Sequence, residues 1–161
     1  MKRSLASLLI GMGSLAFSFG AFANVKNFSG EGTWKSSTGE TGTHTVALSV
    51  EETSDSTLSF TETVNVADKS FSFQFSVQKL DDTFYSILDK DGKVIGSGYC
   101  FGMENNPDGK VCHSYVGHGG HHVELSFECT GDAIYRLGSK TMQNKVIAWK
   151  DALHLVDEAK H

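Results

Sequence analysis

The sequence holds one proline, Pro107, among 161 residues, and it has neither a low-complexity stretch nor a block of like charge. Without such linkers the chain offers no domain boundary. Basic residues are scarce: 14 Lys and Arg stand against 19 Asp and Glu, a formal charge of −5, which lacks the footprint of a nucleic-acid binder. Common enzyme signatures are missing as well. The chain has no Gly-x-Ser-x-Gly elbow, His-Glu-x-x-His, Cys-x-x-Cys or phosphate-binding glycine loop, so the sequence points away from catalysis. Asp89-Lys90-Asp91-Gly92 echoes a calcium loop but lacks the later ligands and closing glutamate. Cysteines number three, so at least one thiol stays free or pairs between chains.

What is present begins with a leader. Met1-Lys2-Arg3 is a short basic head, Ser4 to Phe22 is uncharged and rich in Leu, Ala, Phe and Gly, and Ala21-Phe22-Ala23 supplies the small-x-small pattern of a peptidase site. Residues 1–23 therefore read as a signal peptide, and 24–161 as one exported domain bound for the periplasm or the extracellular space. The apolar run is short for a span of ~20 residues and contains glycines and serines, so the mature chain is expected to have no transmembrane segment. The leader takes two of the 14 basic residues and no acidic one, moving the formal charge from −5 to −7.

Beyond the leader the apolar period is two almost everywhere. In Ser70-Phe71-Ser72-Phe73-Gln74-Phe75-Ser76-Val77 the apolar residues fall on one face and the polar ones on the other, as in a half-buried strand. With turns as punctuation, strands are expected at 28–37, 42–53, 56–67, 69–80, 83–90, 93–103, 110–118, 121–130, 132–143 and 145–156. Asp91-Gly92 and Gly119-Gly120 read as two-residue hairpin turns, and Asn106-Pro107-Asp108-Gly109 as a type I turn with a glycine bulge. A meander of this size resolves its edges by closing, so the expectation is an all-β, antiparallel up-and-down barrel of about 8–10 strands, not a sandwich with longer crossovers. From Lys150 onward Ala152, Leu153, Leu155 and Val156 also fit a helical face, leaving a short C-terminal helix open.

The segment Phe28-Ser29-Gly30-Glu31-Gly32-Thr33-Trp34 resembles the opening strand of lipocalin-like, or calycin, barrels, through its Gly32-Thr33-Trp34 triplet. The resemblance implies that Trp34 closes the base of the barrel and that the interior holds a small apolar molecule. The basic residue that packs over this tryptophan in the family would here be Lys150.

The densest chemistry lies between Cys112 and His122, where His113, His118, His121 and His122 fall within ten residues. A turn at Gly119-Gly120 makes His118 and His121 cross-strand neighbours with Cβ atoms roughly 5 Å apart, able to share one Zn or Cu ion. A secure site needs a third ligand, for which His122 faces the wrong way and His113 lies far down the strand. A polar hairpin tip and a pH-sensitive rim are the other readings of the same residues. The register places Cys112 and Cys129 inside, diagonal to one another and about 7–8 Å apart between Cα atoms, which favours buried free thiols. On the preceding strand Tyr99 and Phe101 are expected to face inward and Cys100 outward, so a Cys100–Cys112 bridge would need a register shift.

Three functions remain. The first is a non-enzymatic barrel binding a small, mostly apolar ligand, with Trp34, Phe71, Phe73, Phe75, Tyr99 and Phe101 lining it. The second is a transition-metal protein using the histidine-rich hairpin. The third is an envelope-associated interaction or inhibitor module. Oligomeric state leaves no mark in the sequence.

Overall fold

The computed structural model describes residues 25–156 except 119 and 131, so the expected leader at 1–23 lies outside the described residues. Ten strands follow in order: β1 (Val25–Ser36), β2 (Thr41–Ser54), β3 (Thr57–Val66), β4 (Lys69–Lys79), β5 (Phe84–Leu88), β6 (Val94–Met103), β7 (Asn106–His118), β8 (His121–Thr130), β9 (Ala133–Met142) and β10 (Lys145–Leu155). Each pairs antiparallel with its sequence neighbours, and β1 pairs with β10 to close the barrel. Among the described residues no helix is long and apolar enough to cross a membrane.

Over residues 150–156 the C-terminal helix alternative is overturned, and the rest of that tail, 157–161, lies outside the described residues. Lys150 to Leu155 extends β10, with Leu153 facing Gly30 on β1 and Ile134 on β9, and period-two burial on both sides outweighs the local helical pattern. The turns also differ in detail. Gly92 alone takes a left-handed φ of 79° in its hairpin, and Asn106 pairs with Met103 across the tight Glu104-Asn105 turn. The expected Asn-Pro-Asp-Gly turn is a bulge inside β7, absorbed between Gly102 and Met103.

Side chains at alternate positions enter the barrel, and burial differs between its two ends. Toward the β2–β3, β4–β5, β6–β7 and β8–β9 turns the inward residues Phe28, Val50, Leu58, Val77, Tyr85, Ile134 and Leu153 are buried and fill the interior. Toward the β1–β2, β3–β4 and β9–β10 turns Ser36 is buried, but the inward residues Trp34, Phe71, Phe73, Lys140 and Trp149 are less covered. At this second end β5 pairs with β4 only along Ser76–Lys79, so Lys69–Phe75 has a strand neighbour on the β3 side alone.

The expected facing of β6 is also overturned. Gly96, Gly98 and Cys100 point inward, while Tyr99 and Phe101 are exposed on the outer wall. The cause is volume: a Cβ at Gly98 would overlap the Tyr85 ring, so β6 can pass that ring only with its small residues turned in. Cys100 then lies directly opposite Cys112, and the two form a disulfide with Cα atoms 4.1 Å apart, with no register shift between them. Cys112 is therefore not a free thiol, whereas Cys129 is free and buried as expected.

Candidate ligand site

The less covered end of the interior carries both tryptophans of the chain. Trp34 on β1 and Trp149 on β10 face inward as directly opposed partners. Each lies over a glycine: a Cβ at Gly138 would overlap the Trp149 ring, and one at Gly42 would come within 2.8 Å of Trp34 Nε1. That Nε1 is buried with no hydrogen-bond partner among the described residues. Trp34 stands two residues before the end of β1, at the end of the barrel where the β1–β2 turn lies. Lys150 is exposed on the outer wall opposite Thr33 and does not cover the tryptophan.

On the opposite side of this mouth Phe71 and Phe73 share the inward face of β4 with Phe75 and Val77. Val77 is buried, and Phe75 stacks on Phe60 with ring centroids 4.9 Å apart. Phe71 and Phe73 keep 47% and 48% of their surface exposed, although their register points them inward. The missing β5 partner along Lys69–Phe75 explains this exposure, since no wall rises beside them.

Between mouth and packed end lies a charged layer that the sequence reading missed. Arg136 on β9 donates from Nε to Asp151 Oδ1 at 2.7 Å, and from Nη2 to Asp151 Oδ2 and Glu62 Oε1, both at 3.0 Å. His44 Nε2 lies 3.2 Å from Asp151 Oδ2. Burial alone would lower the Arg136 pKa, but Glu62 and the hydrogen bonds and charge of Asp151 outweigh it and hold the guanidinium firmly protonated. The phase of β9 and β10 was the available signal, because Arg136 and Asp151 fall in step with the buried Ile134 and Leu153. Deeper still, the Tyr85 hydroxyl hydrogen-bonds Ser114 Oγ at 2.8 Å, and burial pushes the Tyr85 phenol and the Cys129 thiol up to about 12.

The remaining sequence-derived residues are dispersed. Tyr99 and Phe101 are outside the barrel and cannot line its interior. His113 Nδ1 meets Ser126 Oγ at 3.0 Å and His122 Nδ1 meets the Tyr115 hydroxyl at 2.7 Å, both on the outer wall. His118 pairs with His121 across the β7–β8 turn, as the register required. Among the described residues no three His, Cys, Asp or Glu side chains gather into a group able to hold a metal ion. The outer wall also carries a shallow depression of about 580 Å³, lined in part by Val111, Ser126, Tyr135, Leu137 and Ala152.

No protein-family model and no curated protein matches the sequence. Solved structures do share the fold. The S-type phycobiliprotein lyase CPES of Guillardia theta superposes with a TM-score of 0.59 at 10% identity, over 83% of this chain and 88% of that one. Rv2717c of M. tuberculosis gives a TM-score of 0.54 at 12% identity, over 81% and 91% of the two chains. At these identities the likeness is one of fold, and the closed ten-stranded antiparallel barrel fits the lipocalin-like architecture.

Proposed function

We propose that this chain is an exported barrel that binds a small, mostly apolar molecule at the open end of its interior. The observation that carries the reading is the exposure of Phe71 and Phe73: two inward-facing aromatic rings keep nearly half their surface open while inward residues at the other end are buried. Large apolar surface held open toward an interior marks a preformed site, because a self-sufficient core would have closed over it. Trp34 and Trp149 extend the same aromatic lining, and a barrel shared with a phycobiliprotein lyase is compatible with it at the level of the fold.

The test is native mass spectrometry of the protein recovered from the compartment to which it is exported, before and after adding a chelator. A chain beginning at Asn24 with a bound organic mass that is lost in Phe71→Ala/Phe73→Ala is the expected result. A chelator-sensitive increment matching Zn or Cu would transfer the function to the His118–His121 hairpin, and a bare mass in both spectra would overturn the ligand reading. A bare mass would also move weight to an interaction role, for which the exposed outer-wall residues Tyr99, Phe101, Val111, Tyr115 and Leu137 are the relevant surface.

A further inference from the structure

The charged layer beneath the mouth constrains the chemistry of the ligand, on the proposed reading of the interior as a binding site. Two carboxylates, Asp151 and Glu62, face one guanidinium, Arg136, so the layer carries a formal surplus of one negative charge before any charge on His44 is counted. Asp151 is saturated: both its oxygens are engaged by Arg136, one of them also lies against His44, and its side chain has no exposed surface. Glu62 is different. Its Oε1 accepts from Arg136, its Oε2 has no partner among the described residues, and its side chain remains 17% exposed, the most accessible of the layer.

Position adds to this. Glu62 and Phe73 are directly opposed partners across β3 and β4, so the half-free carboxylate and the exposed aromatic ring are side by side at the floor of the mouth, with Cβ atoms about 5 Å apart. A carboxylate oxygen beside aromatic faces attracts a cation twice, by direct ion pairing and through the ring quadrupole. Arg136 Nη1 also lacks a protein partner among the described residues, but an anion arriving there would enter the field of two carboxylates already bound to the same guanidinium. Lys140 faces inward too, four residues further along β9, roughly 13 Å up the strand and at the rim.

We infer that the site selects a flat apolar or aromatic molecule carrying a cationic or N–H-donating nitrogen, with that nitrogen on Glu62 and the ring system among Phe71, Phe73, Trp34 and Trp149. Both tryptophans lie at this mouth, so intrinsic fluorescence reports on the site without a label.

The experiment titrates the mature protein with three tricyclic probes of matched shape at neutral pH, aminoacridine as the cation, acridine as the neutral form and acridine carboxylate as the anion. Tryptophan quenching and calorimetry are recorded together. The expected order is cation over neutral over anion, with the cation about tenfold tighter than the neutral probe, and Glu62→Gln removes that gap while leaving the neutral probe unchanged. Phe71→Ala/Phe73→Ala weakens all three, and the cation most, because it loses the ring quadrupole as well as the apolar surface. Equal binding of the three probes, or tightest binding of the anion, overturns the charge preference and leaves the apolar site standing. Binding of none of them, or binding untouched by the phenylalanine variant, overturns the site reading itself. The probe series on the unaltered chain keeps the inference falsifiable should Glu62→Gln fail to fold.

Discussion

The two ends of this barrel are made from the same kinds of residue and differ in what covers them. At one end Phe28, Leu58, Val77, Tyr85 and Leu153 close on one another, and the Cys100–Cys112 disulfide ties β6 to β7 beside them. At the other, Trp34 and Trp149 face the same interior half-buried, and Phe71 and Phe73 face it without being closed over. The contrast comes from strand pairing, because β5 is five residues long and leaves the first part of β4 without a neighbour on that side. Apolar residues thus serve stability at one end and remain available to a ligand at the other. The Arg136–Asp151–Glu62–His44 layer marks the boundary between them.

That boundary is where the largest effect is expected. Asp151→Ala leaves Arg136 buried with Glu62 as its only acidic partner, and unpairing a buried charge of this kind costs about 3–5 kcal/mol. Urea unfolding checks it. Replacing the pair together, Asp151→Leu with Arg136→Met, is expected to cost less than Asp151→Ala alone, because the deeply buried guanidinium goes with its carboxylate and the Glu62 carboxylate left behind keeps contact with solvent. A double variant as unstable as the single one would show that the layer holds the barrel together by its ion pairs.

Leu58→Ala addresses the packed end. Leu58 has no exposed surface, and its truncation opens a cavity among rigidly paired strands, for an expected loss of about 3 kcal/mol in the same unfolding assay. A loss below about 1 kcal/mol would mean that this end relaxes freely and is no better packed than the mouth.

The strand frame was legible in the sequence and the charged layer was not. Phe71, Phe73, Phe75 and Val77 alternate with polar residues so regularly that β4 and its inward face follow from the pattern alone. On β6 the alternation is equally clear, but period two yields two faces without saying which is inside. The Tyr85 ring pressing on Gly98 decides it, and that contact joins two strands. The layer is harder again. His44 and Asp151 are 107 residues apart and meet only because β1 closes on both β2 and β10, so no local window contains their interaction.

The packed end also sets the response to alkali. Burial raises the Cys129 thiol from 9.0 to about 12, so the unfolded chain loses this proton at a pH where the folded chain keeps it. The stabilising contribution of the neutral thiol is complete below pH 9 and declines as pH rises from there toward 12. By pH 10 the decline amounts to about 1.4 kcal/mol. Tyr85, raised from 10.0 to about 12 by burial, adds a second decline that begins roughly one pH unit higher. Unfolding free energies measured from pH 8 to 11 should fall with this onset, and Cys129→Ala should flatten the first part of the curve. An unchanged slope in the variant would show that water reaches the thiol in the folded barrel.

The smallest effect on stability is expected at the mouth, and its smallness is the point. Phe71→Ala and Phe73→Ala remove rings that are already half exposed, so each should change the unfolding free energy by less than about 1 kcal/mol, against about 3 kcal/mol for Leu58→Ala. The same two substitutions remove the apolar surface on which the proposed ligand rests. A pair of variants that fold normally and no longer retain the bound molecule separates binding from stability in one experiment. Losses as large as that of Leu58→Ala would make the two phenylalanines part of the core, and the barrel would then have two packed ends and no mouth.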